Sequence, residues 1–250
     1  MNILFHNIIK FLILFLLFGH SNLAVCQNSN PENFSIDTNT ISYFYEPYPQ
    51  KVGSSIFQIG GLFTFVPTPL VEDEYPIPSF DLDYKRGIHE FASFDARFTT
   101  NVFSNILHFG ILGNMNTGRF SYGISNHIGA FYGFLTYEGQ FDRNWAYSIF
   151  YMPTLRFGYR FDDFSISTSF SAIYLLKTAS KVSNMNEISI DNTWNDYFVT
   201  FAIEQPFLKE QKISLGMSIL FTRTPYQVWM LYNTIDEYMI EPEFFFAFQI

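Results

Sequence analysis

The chain has 250 residues, a net charge of −9, and only 15% charged residues against 20% aromatic. It is too sparsely charged for an ordinary soluble domain, and a mean hydropathy of +0.08 is too low for a bundle of membrane helices. Its acidity argues against a nucleic-acid partner, and one cysteine rules out a disulfide framework or a cysteine-based zinc site.

Met1 to Gln27 reads as an export signal. Lys10 supplies positive charge, Phe11 to Phe18 is an unbroken apolar run, and Gly19 to Asn22 breaks it. Ala24-Val25-Cys26 offers small residues for a cut ahead of Gln27, making residues 1–26 a signal peptide. The apolar run is too short for a spanning helix, which takes ~20 residues. An alternative reading makes Leu23-Ala24-Val25-Cys26 a lipobox with Cys26 lipidated, although Val25 is bulkier than the Gly, Ala or Ser expected there. Residues 27–51 are polar and read as a flexible, exposed N-terminal segment.

From Val52 to Ile250 the pattern is repeated alternation of apolar and polar residues, the period of a strand. Ser54 to Val66 is the first such stretch, and the acidic, proline-containing stretch Pro67 to Gly87 reads as a long outer loop. Its Glu72, Asp73, Glu74, Asp81 and Asp83 do not have the spacing of a calcium-binding EF-hand. Phe94, Ala96 and Phe98 are expected to pair with Gly113, Ile111 and Phe109 through a turn at Phe103-Ser104. A turn at Asn116-Thr117 then sets Phe109 opposite Ile124 and Ile111 opposite Tyr122. Gly118 to Phe141 is expected to cross twice, reversing near His127 to Gly129. A helix or lumen plug over Gly129 to Phe141 is the alternative.

The clearest hairpin is Trp145 to Lys177, turning at Asp162-Asp163. It sets Tyr159 opposite Ile166, Leu155 opposite Phe170, Arg156 opposite Ser169 and Arg160 opposite Ser165. Trp194 to Phe207, Lys212 to Thr224 and Met239 to Ile250 complete the series, with outer loops at Thr178 to Thr193 and Pro225 to Tyr238. The short turns at Phe103-Ser104, Asp162-Asp163 and Leu208 to Gln211 are expected on the periplasmic side.

The fold class is therefore all-β: a transmembrane antiparallel up-and-down β-barrel over residues 52–250, with about ten strands, or eight or twelve. Charged residues share the polar face, so that face is expected inside. Asp95, Arg97, Arg156, Arg160, Asp196, Glu204, Glu241 and Glu243 form an expected lumen charge network, with Arg119 on the same face. In a narrow barrel such charges fill the interior, and in an open one they act as a selectivity filter.

Met239 to Ile250 places Ile240, Phe244, Phe246, Phe248 and Ile250 on one face. It resembles the C-terminal strand by which bacterial outer-membrane barrels are recognised for assembly, with Ile250 in place of the usual terminal aromatic. With the export signal and an Asn- and Phe-rich composition, the chain resembles outer-membrane barrel proteins of Bacteroidota. The resemblance implies a Gram-negative outer membrane, surrounding lipid, and the barrel-assembly machinery as a partner. It carries no functional motif.

Three functions stay open: a structural or passive small-solute barrel, a membrane-anchored interaction protein presenting its outer loops to an envelope partner, and a lipid-acting hydrolase. The hydrolase reading uses Ser125 as nucleophile and His108 as base, with His127 diagonal to them and His89 also turned inward. Ser125-Asn126-His127 does not match the motif of barrel enzymes that trim lipid A, and a hydrogen-bonded polar cluster explains the same residues. No cofactor motif and no third metal ligand accompanies the histidines.

Overall fold

This computed structural model describes residues 42–67, 70, 75–137, 141–181, 188–190, 192–207, 211–224, 226, 229 and 237–250. The export signal, the Cys26 lipobox alternative and Glu72, Asp73 and Glu74 lie outside the described residues.

Alternation becomes strand almost everywhere. The strands are β1 (Ser55–Phe65), β2 (Pro76–His89), β3 (Ala92–Thr100), β4 (Ser104–Thr117), β5 (Phe120–Tyr137) and β6 (Phe141–Arg160). There follow β7 (Ser165–Lys181), β8 (Ile188–Ile190), β9 (Thr193–Pro206), β10 (Lys212–Thr222) and β11 (Met239–Gln249). All but β8 form one closed ring in which each strand runs antiparallel to its neighbours. Closure comes from β11 pairing with β1, from Gln58 opposite Gln249 to Thr64 opposite Glu243. The small β8 hangs on β7 at Thr178–Ser180 and takes no part in the ring. The barrel has ten strands.

The count agrees with the expectation, but two strands differ from it. Pro76–His89 is β2, paired with β1 and β3 along its length, not an outer loop. Its acids alternate inward with Lys85 while Phe80, Leu82 and Tyr84 face outward, so charge marked the lumen face of a strand and not a solvated loop. Phe120–Tyr137 is a single strand, β5, and does not reverse at His127 to Gly129. One strand missed and one added leave the total unchanged.

Two registers also move. Phe94 lies opposite Ile111, and Phe109 opposite Ile128, because the reversals fall at Asn101 to Phe103 and at Gly118-Arg119. Gly118 has φ +60°, the left-handed backbone a two-residue hairpin needs. Both slips are even, so every side chain stays on its expected face. The β6–β7 hairpin has the expected register, including Leu155 opposite Phe170 and Arg160 opposite Ser165.

The connections at 90–91, 118–119, 161–164 and 207–211 share one rim with both ends of the sheet, residue 54 and Ile250. The longer connections at 66–75, 182–192 and 223–238 share the opposite rim. The reversal before Ser104 belongs to this long-loop rim, a correction that follows from β2 being a strand. Arg119 sits in a short turn, exposed, and pairs with Asp162 at 2.6 Å on the rim instead of entering the lumen.

The outer wall is apolar: Ile124, Ile128, Phe157 and Phe170 are each roughly half exposed, while their neighbours Ser125, His127 and Thr154 are buried inside. Aromatic side chains gather at both ends of this band. Tyr174, Trp194, Tyr197 and Tyr238 contact one another near the long-loop rim. Phe120, Tyr159, Phe161 and Phe164 do so at the short-turn rim. Between Tyr159 and Tyr147, β6 climbs roughly 40 Å at about 3.4 Å per residue, or about 30 Å along the axis at a tilt of about 40°. That is the thickness of a bilayer's hydrocarbon core.

Candidate functional site in the barrel lumen

The lumen contains a piece of chain that is not part of the wall. Ser42–Gln50 enters from the short-turn rim just ahead of β1 and lies inside, with Tyr43, Phe44, Glu46 and Gln50 buried. Its polar composition predicts an exposed segment; the lumen walls supply the missing solvent. Pro47 and Pro49 deny it a regular ladder, so its backbone groups need partners from side chains.

Those partners are charged. The Glu204 carboxylate accepts the backbone N–H of Phe44 and Tyr45 at 2.8 Å each and of Glu46 at 3.0 Å, and also the Ser214 hydroxyl at 3.0 Å. From the other side the Lys85 ammonium donates to the carbonyls of Tyr43 (3.4 Å), Phe44 (3.0 Å) and Glu46 (2.9 Å). Glu46 pairs with Arg160 at 2.5 Å, and the Arg160 guanidinium covers the Tyr48 ring at 4.0 Å. Lys212 donates to the Ser42 carbonyl at 2.5 Å. Charge-assisted bonds are about twice as strong as neutral ones, so this strap is clamped and not merely enclosed. Burial pushes the Tyr43 phenol up to about 12, with Arg160 opposing.

The wall makes room for the strap by omitting side chains. A Cβ on Gly158 would lie 2.9 Å from Glu46 and 3.0 Å from Pro47. Toward the opposite mouth, Tyr226 and Trp229 of the β10–β11 connection reach into the lumen. Trp229 donates its indole N–H to the Phe103 carbonyl at 3.1 Å, and the Ser104 hydroxyl donates to the Tyr226 carbonyl at 2.9 Å. Tyr226 and Trp229 close an apolar layer with Phe131, Ala146, Phe150, Met152 and Leu175. A Cβ on Gly133 would meet the Trp229 indole at 2.3 Å.

Between strap and apolar layer lies a polar cavity of about 80 Å³. One side is charged. Asp95 accepts from Arg156 at 2.8 Å and contacts His127 Nε2 at 2.7 Å, while Arg97 reaches Asp81 at 2.7 Å and Asp83 at 3.6 Å. The facing side presents hydroxyls from Ser167, Ser169 and Ser171 on β7, Thr154 on β6 and Thr200 on β9. Tyr45 and Phe44 of the strap form its floor.

The residues singled out from sequence fall into three groups. Asp95, Arg97 and Arg156 meet around the cavity. Arg160 and Glu204 lie nearer the short-turn rim and hold the strap. Asp196, Glu241 and Glu243 are buried on β9 and β11 with no Arg or Lys at ion-pair distance among the described residues. Sequence reasoning missed Asp81, Asp83 and Lys85, placed in a loop, and Glu46, placed outside. The alternation of Asp81, Asp83 and Lys85 with Phe80, Leu82 and Tyr84 was the available signal.

The expected Ser125–His108 pairing is corrected. His108 lies opposite Gly129, and Ser125 lies opposite Leu112, four residues along β4, or roughly 13 Å at strand rise. His108 instead meets His127 edge to face at 5.1 Å. The Ser125 hydroxyl and His127 Nδ1 have no hydrogen-bond partner, from each other or from the other described residues, and neither residue lines the cavity. His89 is exposed at the rim against Phe91 (4.1 Å) and does not point into the lumen.

A closed antiparallel ring, apolar outside between two aromatic girdles and charged within, is an outer-membrane-type β-barrel. No protein-family model and no curated protein sequence matches the chain. Among solved structures it is similar to the translocator domain of the autotransporter NalP from Neisseria meningitidis, at 8% identity over 79% of this chain and 88% of that one, TM-score 0.35. It is similar to the P. putida toluene transporter TodX at 8% identity over 82% and 92%, TM-score 0.36. The CymD monoaromatic hydrocarbon channel matches at 7% identity over 80% and 88%, TM-score 0.36. At these scores the barrel assignment rests on the strand ladder and the two faces of the wall.

Proposed function

We propose that the protein is a passive conduit for small polar solutes in a Gram-negative outer membrane, held shut by its own N-terminal strap. One observation carries this reading. Two segments outside the barrel wall enter the lumen, the strap at one mouth and Tyr226 with Trp229 at the other, where they pack on wall side chains including Phe131 and Phe150. A structural barrel of this size fills its interior with wall side chains alone. Here the wall carries glycines where the inserted segments lie, so withdrawing them widens the passage. The outward apolar face of β11 supports delivery by the barrel-assembly machinery, and the Asn- and Phe-rich composition supports an origin in Bacteroidota.

The test is conductance of the refolded chain in planar bilayers. The native chain is expected to open rarely, and Lys85→Met, which removes three bonds to the strap, to open often. If Lys85→Met stays as closed as the native chain while its strap is shown to be released, the barrel is structural and the proposal fails.

A further inference from the structure

The charges inside the barrel do not balance. Arg97 answers Asp81 and Asp83, Arg156 answers Asp95, and Arg160 answers Glu46, while Lys85 and three strap N–H groups face the region of Glu204. That leaves Asp196, Glu241 and Glu243 against Arg223 at the same rim, whose guanidinium lies over the Tyr238 ring at 4.7 Å and not at ion-pair distance of these acids among the described residues. Glu241 and Glu243 share the inner face of β11, and Asp196 lies across β10 from them, opposite Thr222. Thr64 donates to Glu243 at 3.2 Å and Asn195 to Asp196 at 2.8 Å, but Glu241 Oε1 and Asp196 Oδ2 have no partner among the described residues. Buried carboxylates in this state cost several kcal/mol each unless a proton or a cation neutralises them.

The central cavity repeats the pattern independently. Asp83 is 1% exposed and lines the cavity, yet neither of its carboxylate oxygens accepts a hydrogen bond from the described residues, and its contact with Arg97 is a long 3.6 Å. His108 Nδ1 and the hydroxyls of Tyr45 and Thr168, on the same cavity, are also without a partner among the described residues. The Asp83 carboxylate is the charged group among these unpartnered ones, and a cation brought into the space would meet it there. A volume of about 80 Å³ has room for several waters, at about 10–15 Å³ of such space each. It fits an ammonium ion or a partly dehydrated alkali ion.

We infer that the solutes of this conduit are small monovalent cations, drawn in past Asp196, Glu241 and Glu243 at the long-loop mouth and seated at Asp83. The inference rests on the conduit reading and adds its charge preference. The unanswered acids lie on β9, β11 and β2, while Arg97 and Arg156 are each already paired with an acid, so the charge left over in the lumen is negative, as in pores whose lining charge sets ion preference.

The test uses the refolded chain carrying Gly158→Val, which displaces the strap without changing any charge, in planar bilayers under a potassium chloride gradient. The expected potassium-to-chloride permeability ratio is at least about tenfold, the lower end of what charged clefts achieve. Glu241→Gln with Glu243→Gln, and separately Asp83→Asn, are each expected to bring it toward unity, with heat-modifiability confirming that the barrel is intact. Replacing potassium with ammonium is expected to preserve the preference. A ratio near or below unity before the acids are changed overturns the inference and leaves the conduit standing. Absence of openings in every strap-released variant overturns the conduit itself.

Discussion

Glu204→Gln is the sharpest probe of how the strap is held. The carboxylate takes three strap N–H groups at 2.8 to 3.0 Å, Phe44 on Oε1 and Tyr45 and Glu46 on Oε2, and a glutamine keeps only one uncharged acceptor oxygen of these two. Losing charge assistance costs about 1 kcal/mol per bond, and relief of the buried charge returns part of it. The net loss is about 2–3 kcal/mol, which raises the population of released strap on the order of 30- to 150-fold at 1.4 kcal/mol per tenfold. The strap carries its own reporter. Tyr43, Phe44 and Tyr45 are chymotrypsin sites, and the lumen shields them from a protease. Cleavage of detergent-refolded protein, followed as loss of mass from the N-terminal end, then tracks the released fraction. The native chain is expected to resist and Glu204→Gln to be cut faster by that factor. Equal rates in the two proteins, or native cleavage as fast as in the unfolded chain, would refute the clamp.

Gly158→Val adds side-chain atoms where even a Cβ meets Glu46 at 2.9 Å, and should accelerate the same cleavage while the boiled and unboiled forms still migrate apart on a gel. Gly133→Leu collides with the Trp229 indole at 2.3 Å and should shift tryptophan emission to longer wavelength as that ring leaves its apolar layer. The Tyr43 phenol is raised by burial from 10 to about 12, so its contribution to holding the strap is complete below pH 10 and is lost as pH rises through about 12. In phenolate absorbance, the difference between the native chain and Tyr43→Phe should titrate near 12; a component near 10 would mean that the strap leaves Tyr43 in water.

The β6–β7 hairpin was readable because its signals agree. Aromatic and branched residues alternate with arginines and serines, and Asp162-Asp163 supplies one unmistakable reversal. In β2 the signals conflict: Pro76 and Pro78 look like breakers and the acids look solvated, although both prolines lie at the strand's long-loop end. Dividing β5 follows from taking β2 for a loop, because an even strand count then needs one more crossing, with Gly129 at the expected reversal; Gly129 and Gly133 are instead vacant so that Phe150 and Trp229 can occupy the lumen beside them. The inward face of each charged residue follows from alternation alone. Which charges meet does not, because the partners of Arg97 and Arg160 lie in β2 and in the strap. Nothing local in Ser42–Gln50 signals burial, since its binding groups belong to residues 39 to 170 positions away.

The placement of the strap also dates it. Its anchors come from β2, β6, β9 and β10, so no docking pocket exists until most of the wall has been laid down, although the strap's own residues precede the first strand. Docking is therefore a late event in biogenesis, and it reports completion: a barrel stalled before β9 lacks Glu204 and leaves Tyr43 to Tyr48 hanging free. A protease would tell finished from unfinished molecules by that one stretch of aromatic chain.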